Sequence, residues 1–110
     1  MRDYIHVMDL AEAHHLTLLK LIEFDSKLLI LNIGTSIGTS VLELVETFQS
    51  INKCKIPYEF VNRRPGDFPY VVADNKLAIS TLNWLPKKNI EDMCNDGWKW
   101  IKKNPNGYVN

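Results

Sequence analysis

A polar loop over residues 62–67 holds the side chains whose types and spacing best suit the binding of a ligand. It contains Arg63, Arg64 and, three residues after Arg64, Asp67, on a turn that Pro65 stiffens. A guanidinium offers a planar fork of donors that matches phosphate oxygens, and a carboxylate accepts hydrogen bonds from a diol such as that of ribose. The pattern therefore suits a nucleotide, although spacing alone favours a solvated loop with an internal Arg–Asp pair.

A glycine-containing turn over residues 34–40 is the second candidate, because backbone amides at a helix N-terminus can bind phosphate. A dinucleotide-binding loop, however, needs three glycines at fixed spacing and an acidic residue about 20 positions later. Here only Gly34 and Gly38 are present, and Lys53–Lys55 stands where the acid should be. The sequence therefore favours a structural turn between a strand and a helix, capped by Ser40.

Other reactive residue types lack the spacing of a catalytic or metal site. His6, His14 and His15 offer no pair of histidines with a carboxylate at helical spacing, as a zinc site requires. None of the 4 tyrosines is followed by a lysine four positions later, and no nucleophile–base pair is evident. We therefore predict neither a catalytic residue nor a metal ligand in this chain.

The chain is predicted to fold in the α/β class, with about four helices and a few short strands. The first helix runs from Val7 to about Phe24, since apolar side chains recur there at three- and four-residue spacing. Asp3 or His6 is expected just before its first turn. The apolar stripe, which we expect to face the core, consists of Val7, Leu10, Ala11, His14, Leu18, Leu21 and Ile22.

Three more helices have recognisable start signals. Ser40 and Glu43 form a capping box before a helix that runs to about Ile51. Asp74 is predicted to cap a short helix that ends at Leu82. The last helix runs from about Ile90 to Lys103, with lysines at its C-terminal end.

Two segments are predicted to form strands. The aliphatic run Leu28–Ile33 is typical of a strand buried on both faces, and Tyr58–Val61 alternates like an edge or half-buried strand. So small a sheet is unusual for an independent domain. We therefore expect the chain to be part of something larger.

Composition limits the classes of partner. The chain has 110 residues, enough for one domain, and its 13 basic and 13 acidic side chains cancel, so no overall field attracts it to nucleic acid or anionic lipid. The longest aliphatic run, Leu28–Leu31, is far shorter than the roughly 20 residues of a membrane span. Two distant cysteines, Cys54 and Cys94, favour a reducing cytoplasm over a secreted scaffold.

Several motifs, in order, resemble the C-terminal part of the UDP-glucose 4-epimerases, which are extended short-chain dehydrogenases/reductases. Residues 2–11 read RDYIHVMDLA, almost letter for letter the family's RDYIHVxDLA motif. Residues 32–43 are similar to its NxGxGxGxSVxE turn and helix, although residues 35–37 replace a glycine-richer turn. Residues 63–67 match its RRxGD loop. The resemblance extends through its ADxxKAxxxLxW segment and tail to cover residues 1–110, the region of the small substrate domain.

This resemblance implies binding roles for four residues. Arg2 and Arg64 would contact the diphosphate of UDP, Asp67 would hold the uridine ribose, and Tyr4 is a weaker candidate near the nucleotide. The family's N-terminal Rossmann domain, which binds NAD and carries the catalytic Ser/Thr and Tyr-x-x-x-Lys, has no counterpart in these 110 residues. The resemblance therefore implies UDP-sugar binding without a catalytic or NAD-binding residue in this chain.

The function implied by the resemblance is the substrate-binding portion of an enzyme of galactose metabolism that interconverts UDP-glucose and UDP-galactose with NAD. Alone, the chain is expected to be inactive and to bind no NAD. Its expected partners are a UDP-sugar and either a separate N-terminal Rossmann chain or further copies of itself. The alternatives are a non-catalytic nucleotide-sugar-binding or interaction module, and part of another nucleotide-sugar epimerase or dehydratase.

Overall fold

The structure, a computed structural model, describes residues 1–23 and 28–108. Within these ranges it contains four α-helices and one two-stranded antiparallel sheet, which confirms the predicted α/β class. In chain order the elements are β1 (Arg2–Asp3), α1 (Val7–Glu23), β2 (Gly38–Thr39), α2 (Val41–Asn52), α3 (Lys76–Leu82) and α4 (Ile90–Lys103).

β1 joins two distant parts of the chain. On one side Arg2 lies opposite Thr39 and Asp3 lies opposite Gly38 in the antiparallel pair with β2. On the other side Arg2 forms an isolated parallel bridge with Val71. β1 therefore sets the turn before α2 and the segment after the polar loop side by side.

α1 begins at Val7, as predicted, and its first turn is capped by the residue before it. The Met8 amide donates a hydrogen bond to Nδ1 of His6 at 3.1 Å. This leaves Nε2 of the buried His6 ring facing the Asp96 carboxylate of α4 at 3.3 Å. Of the two residues predicted at this position, His6 is therefore the cap. Phe24, where the helix was predicted to end, lies outside the described residues.

The predicted apolar stripe of α1 was wrong, because the helix packs through a different face. Val7, Leu18 and Ile22 are 69%, 57% and 71% exposed, whereas the buried residues of α1 are Asp9 and Ala13. The small Ala13 side chain lets α1 approach the end of α3 closely. His14, predicted to lie in the core, is also exposed, and its Nδ1 lies 2.8 Å from the Leu10 carbonyl oxygen. The hydrophobic spacing therefore predicted the position of this helix in the chain, but not which of its faces packs against the core.

The core is a small cluster of Ala13, Leu82 and Trp84. Partly buried side chains that pack against it are Ile5, Leu16, Leu31 and Ile33. Beside this cluster, α2 packs on α4 through an edge-to-face contact between Phe48 and Trp98, with ring centroids 5.6 Å apart.

A buried carboxylate ties α1 to the segment before α4. The Asp9 side chain is 3% exposed and accepts hydrogen bonds from the Lys87 and Lys88 amides at 3.1 and 2.9 Å. The Lys87 ammonium reaches back to Glu12 of α1, and this hydrogen bond raises the pKa of Lys87. Asp9 therefore supplies an acceptor to two backbone donors in the segment that precedes α4.

Neither predicted strand forms within the described part of the chain. The Leu28–Ile33 segment has alternating exposure, with Leu31 and Ile33 on the core and Leu28 and Ile30 facing outwards. The Tyr58–Val61 segment is exposed throughout. A strand is defined by a neighbouring strand as much as by its own side chains, and the only ladder of the described residues joins β1 and β2.

The helix starts agree with the sequence at α2 and differ at α3. At α2 the Glu43 amide donates to Ser40 Oγ at 3.1 Å and the Ser40 amide donates to the Glu43 carboxylate, which lowers the pKa of Glu43. α3 begins at Lys76 with Asn75 at its N-cap position, one residue later than the predicted Asp74, whose carboxylate nevertheless accepts from the Lys76 amide at 3.2 Å. The Asn75 side chain is buried and donates to the Gly34 carbonyl at 2.8 Å, so it makes a tertiary hydrogen bond and does not cap the helix.

Candidate functional site

Two of the four predicted binding residues, 65 positions apart in the chain, form an ion pair. The Arg2 guanidinium contacts the Asp67 carboxylate through Nη2. Its Nη1 donates to the carbonyl oxygens of Met1 and Phe68 at 2.8 and 2.9 Å. The bridge between Arg2 and Val71 sets the register that makes these contacts possible. The fold therefore joins the RDYIHV-like segment to the polar loop.

The Arg2 guanidinium keeps hydrogen-bonding capacity for a ligand. Arginine has five N–H donors, and Arg2 directs two from Nη1 and one from Nη2 at protein oxygens. The second proton of Nη2 and the proton of Nε remain, and the side chain is 36% exposed. A guanidinium held in one orientation with donors to spare suits an anionic group such as a phosphate.

The polar loop turns tightly between Arg64 and Asp67. The Asp67 amide donates to the Arg64 carbonyl at 3.3 Å, and Gly66 takes a φ of 80°, which suits a residue without Cβ. Arg63 and Arg64 are exposed. The internal Arg–Asp pair that spacing favoured is not the pair observed, because the described partner of Asp67 is Arg2. Arg64 is thus an exposed cation three residues from a carboxylate that is already fixed.

Tyr4 lies apart from this pair. It lines a cleft of about 150 Å³ between the turn before α2 and the start of α4, with Ile37, Lys88 and Met93 among its walls. Arg2 instead lines a separate cleft of about 510 Å³. The other walls of that second cleft are Asp3, Leu31, Asn32, Ile33 and Val71–Asp74. The structure therefore brings Arg2 and Asp67 together and puts Tyr4 on a different surface.

A third and larger cleft, the α1–α4 cleft, has none of the predicted binding residues in its wall. It measures about 720 Å³ and is mostly apolar, with the His6–Asp96 pair as its polar part. Its remaining walls are Ile5, Val7, Met8, Met93, Gly97, Trp100, Ile101 and Tyr108. The largest of the three clefts described here is therefore not the one lined by the charged residues that the sequence predicted to bind a ligand.

Sequence reasoning missed the most heavily hydrogen-bonded side chain next to the site, Asp3. Its carboxylate accepts from the amides of Thr35 and Ser36 at 2.9 Å each, from the Thr35 hydroxyl at 2.5 Å, and from the Ala73 amide at 3.2 Å. Asp3 was considered only as a cap for α1. An acid between an arginine and a tyrosine carries no local signal that it will meet backbone donors more than thirty residues away.

The turn over residues 34–40 does not suit a dinucleotide. The Thr35 and Ser36 amides, which would have to face phosphate, both donate to Asp3. A Cβ at Gly34 would lie 2.6 Å from Asp3 Oδ2 and 2.7 Å from the Ala73 Cβ, so the glycine makes room for protein atoms. In this turn the two amides and the glycine are thus used for contacts with Asp3 and Ala73.

Replacing Gly34 tests this packing. Gly34→Ala is expected to lower the free energy of unfolding by about 1–3 kcal/mol, because the methyl group overlaps the Asp3 carboxylate and Ala73. Gly97→Ala is the matched control, since a Cβ there meets nothing within 4 Å and α4 gains up to about 1 kcal/mol in helix propensity. Urea denaturation measures both. Equal stability of the two variants would contradict the packing described at Gly34.

Two kinds of site are not found among the described residues. No group of three or more His, Cys, Asp or Glu side chains in residues 1–23 and 28–108 is arranged to hold a metal ion. Over the same ranges, no helix combines the length and apolar character needed to cross a membrane.

Comparison with known proteins gives a consistent result. No family model matches the chain. It is 49% identical over 108 residues to the UDP-glucose 4-epimerase of Pasteurella multocida, covering 98% of this chain and 32% of that protein. It is 47% identical to UDP-glucose 4-epimerase 2 of Arabidopsis thaliana, again over 98% of this chain and 31% of that protein. The chain thus spans about a third of the length of the curated relatives it matches.

A solved structure is similar over nearly the same span. The UDP-glucose 4-epimerase of Bifidobacterium longum, crystallised in complex with NAD+ and UDP, superposes with a TM-score of 0.81 at 38% sequence identity. The match covers 96% of this chain and 31% of that one. The agreement in sequence and structure lies in the C-terminal part of these proteins.

Proposed function

We propose that this chain, a homologue of the C-terminal part of the UDP-glucose 4-epimerases, binds the UDP portion of a nucleotide-sugar. In this proposal Arg2 and Arg64 contact the diphosphate and Asp67 accepts hydrogen bonds from the ribose diol. Tyr4 has a weaker place near the nucleotide. The observation that carries the proposal is the Arg2–Asp67 pair, which joins the two motifs that the resemblance connects with UDP.

The chemistry of the three side chains supports a nucleoside diphosphate over a simpler anion. Two guanidinium groups match the charge of a diphosphate, and charge-assisted hydrogen bonds to phosphate are about twice as strong as neutral ones. A carboxylate would repel an isolated phosphate, but it is a good acceptor for two hydroxyl groups. One oxygen of Asp67 is engaged by Arg2, and that contact fixes the orientation of the carboxylate.

The proposal extends to the rest of the reaction. Interconversion of UDP-glucose and UDP-galactose would use NAD and a general base supplied by polypeptide beyond these 110 residues, either a separate Rossmann chain or part of a longer one. Exposed apolar side chains support such a neighbour, since Leu18, Ile22, Leu28 and Ile30 are each between 57% and 75% exposed. The proposed location is the cytoplasm.

Adjacent arginines of the polar loop allow a matched test. Arg64→Ala is expected to weaken UDP binding roughly ten- to hundredfold, the range that loss of charge-assisted hydrogen bonds gives. Arg63→Ala removes the same charge from the neighbouring exposed position and is expected to change affinity by less than about threefold, as general electrostatic attraction would. Isothermal titration calorimetry with UDP measures both variants.

The same calorimetric titration also tests the proposed contact between Asp67 and the ribose. Asp67→Asn should remove the preference of the chain for UDP over its 2′,3′-dideoxy analogue, because the carboxylate is the proposed acceptor for both hydroxyl groups. If Arg63→Ala and Arg64→Ala weaken UDP binding to the same degree, the loop attracts anions without a defined phosphate site, and the proposal fails.

A further inference from the structure

The Asp3 carboxylate connects three chain segments beside the proposed nucleotide site. Its Oδ1 accepts from the amide and hydroxyl of Thr35, and its Oδ2 accepts from the amides of Ser36 and Ala73. An ionised carboxylate has about four lone-pair positions, so these four donors occupy all the acceptor positions of Asp3. Asp3 therefore has no acceptor capacity for a ligand, and its role is to hold protein backbone.

The segments held by Asp3 are those that bring Arg2 and Asp67 together. Asp3 follows Arg2 directly in β1, so fixing Asp3 fixes the strand from which the guanidinium extends. Ala73 lies two residues after Val71, the bridge partner of Arg2, on the stretch that leads back to Asp67. The Asp3 carboxylate thus sets the spacing between β1, which carries Arg2, and the segment that leads back to Asp67.

The backbone around Asp3 is shaped to present donors to it. Ser36 has a φ of 61°, in the left-handed region that non-glycine residues adopt at some cost. This conformation directs its amide at Asp3, while the Ser36 hydroxyl donates to the Ala73 carbonyl at 2.8 Å. Gly34 lacks the Cβ that would collide with the carboxylate. A left-handed backbone at Ser36 and the absence of a Cβ at Gly34 therefore both serve one acidic side chain.

We propose that Asp3 is a positioning residue that holds Arg2 against Asp67 in the geometry needed for a nucleoside diphosphate. This inference rests on the function proposed above and adds a residue to it. In Asp3→Asn an amide replaces one carboxylate oxygen, and its N–H groups face backbone N–H donors in place of an acceptor. The register between β1 and residues 71–73 is then expected to loosen, and with it the orientation of the Arg2 guanidinium.

Asp9 provides a matched control, because it is also an acidic residue that accepts two backbone amides and joins distant segments. It does so at the start of α4, away from Arg2. Asp3→Asn is expected to weaken UDP binding about tenfold or more, since small misplacements of binding groups are costly. Asp9→Asn is expected to leave the dissociation constant within about twofold at a similar loss of thermal stability, because Asp9 bonds to neither Arg2 nor Asp67 nor the segments that join them.

A second measurement does not depend on UDP. In the wild type, three protein oxygens hold the Arg2 guanidinium, so its Nη protons should give separate NMR signals that merge in Asp3→Asn and persist in Asp9→Asn. If the wild type binds no UDP but the Arg2 signals respond in this way, the nucleotide assignment falls and the positioning role stands. If the signals do not respond to Asp3→Asn, the positioning role is wrong.

A milder variant covers the case in which Asp3→Asn does not fold. Thr35→Val keeps the shape of the side chain and removes its hydroxyl, which donates to Asp3 and accepts from the Ile37 amide at 3.2 Å. It should broaden the Arg2 signals and weaken UDP binding by a smaller factor than Asp3→Asn, because Asp3 keeps its three backbone donors. Loss of UDP affinity to equal degrees in Asp3→Asn and Asp9→Asn would overturn the proposal, because general destabilisation would then explain both.

Discussion

The purified 110-residue chain is expected to convert no UDP-galactose into UDP-glucose, even with added NAD. Its sequence contains no Tyr-x-x-x-Lys couple and no loop with three glycines at dinucleotide-binding spacing. The glycine-containing turn over residues 34–40 directs its Thr35 and Ser36 amides at Asp3. Because the hard chemical step of such a reaction belongs to a cofactor and a positioned base, binding residues alone leave the rate at background.

A coupled assay for UDP-glucose measures this, with the Pasteurella multocida enzyme as the positive control. A chain that binds UDP without turnover fits both the substrate-binding portion of an epimerase and a non-catalytic binding module. Adding the N-terminal two thirds of that enzyme as a separate polypeptide distinguishes them, since activity in the mixture is expected only for the first. Turnover by the 110-residue chain alone would contradict the account.

Trp84→Ala is expected to remove a large part of the free energy of unfolding of the protein. Trp84 is 2% exposed and packs with Ala13 and Leu82 in a core that is otherwise small. Truncation of a buried tryptophan costs about 3–5 kcal/mol, which is comparable with the roughly 5–15 kcal/mol that stabilise a whole domain. Circular dichroism at 25 °C and urea titration should therefore show a largely unfolded chain or a sharply lowered midpoint.

Two controls separate lost packing from other effects. Trp100→Ala removes the same side chain from a position that is 41% exposed, and we expect it to cost at most about 1.5 kcal/mol, the contribution of its edge-to-face contact with Tyr108. Trp84→Phe should cost much less than Trp84→Ala, because the indole N–H of Trp84 is buried without a partner among the described residues and its loss removes no hydrogen bond. If Trp84→Ala had the wild-type midpoint, the core would lie elsewhere.

Local signals in the sequence predicted the parts of the fold that depend on local chemistry. The capping box of Ser40 and Glu43 and the position of α1 were confirmed, since neighbouring residues determine both. The inner face of α1 was not predictable from periodicity, because large aliphatic residues lie on one side and the small Ala13, which permits close packing, lies on another. The strand predicted over Leu28–Ile33 does not form, because an aliphatic run indicates burial and does not show which other strand would pair with it.

The candidate site was predictable only in part, for a related reason. The spacing of Arg64 and Asp67 indicated nucleotide chemistry, but it favoured a pair within the loop, and only the family resemblance connected the loop with Arg2. The contact between Arg2 and Asp67 depends on β1 and its bridge to Val71, which no local pattern encodes. Asp3 was missed because its four donors come from residues that are distant in the chain.

Backbone amide signals followed by NMR while UDP is added show whether Arg2, Arg64 and Asp67 form one site for UDP. We expect the signals of these three residues and of Phe68 to shift together and to fit a single dissociation constant. Residues of the α1–α4 cleft, such as Met8 and Ile101, should stay unchanged. Shifts confined to that cleft, or different binding curves for Arg2 and Arg64, would contradict this expectation.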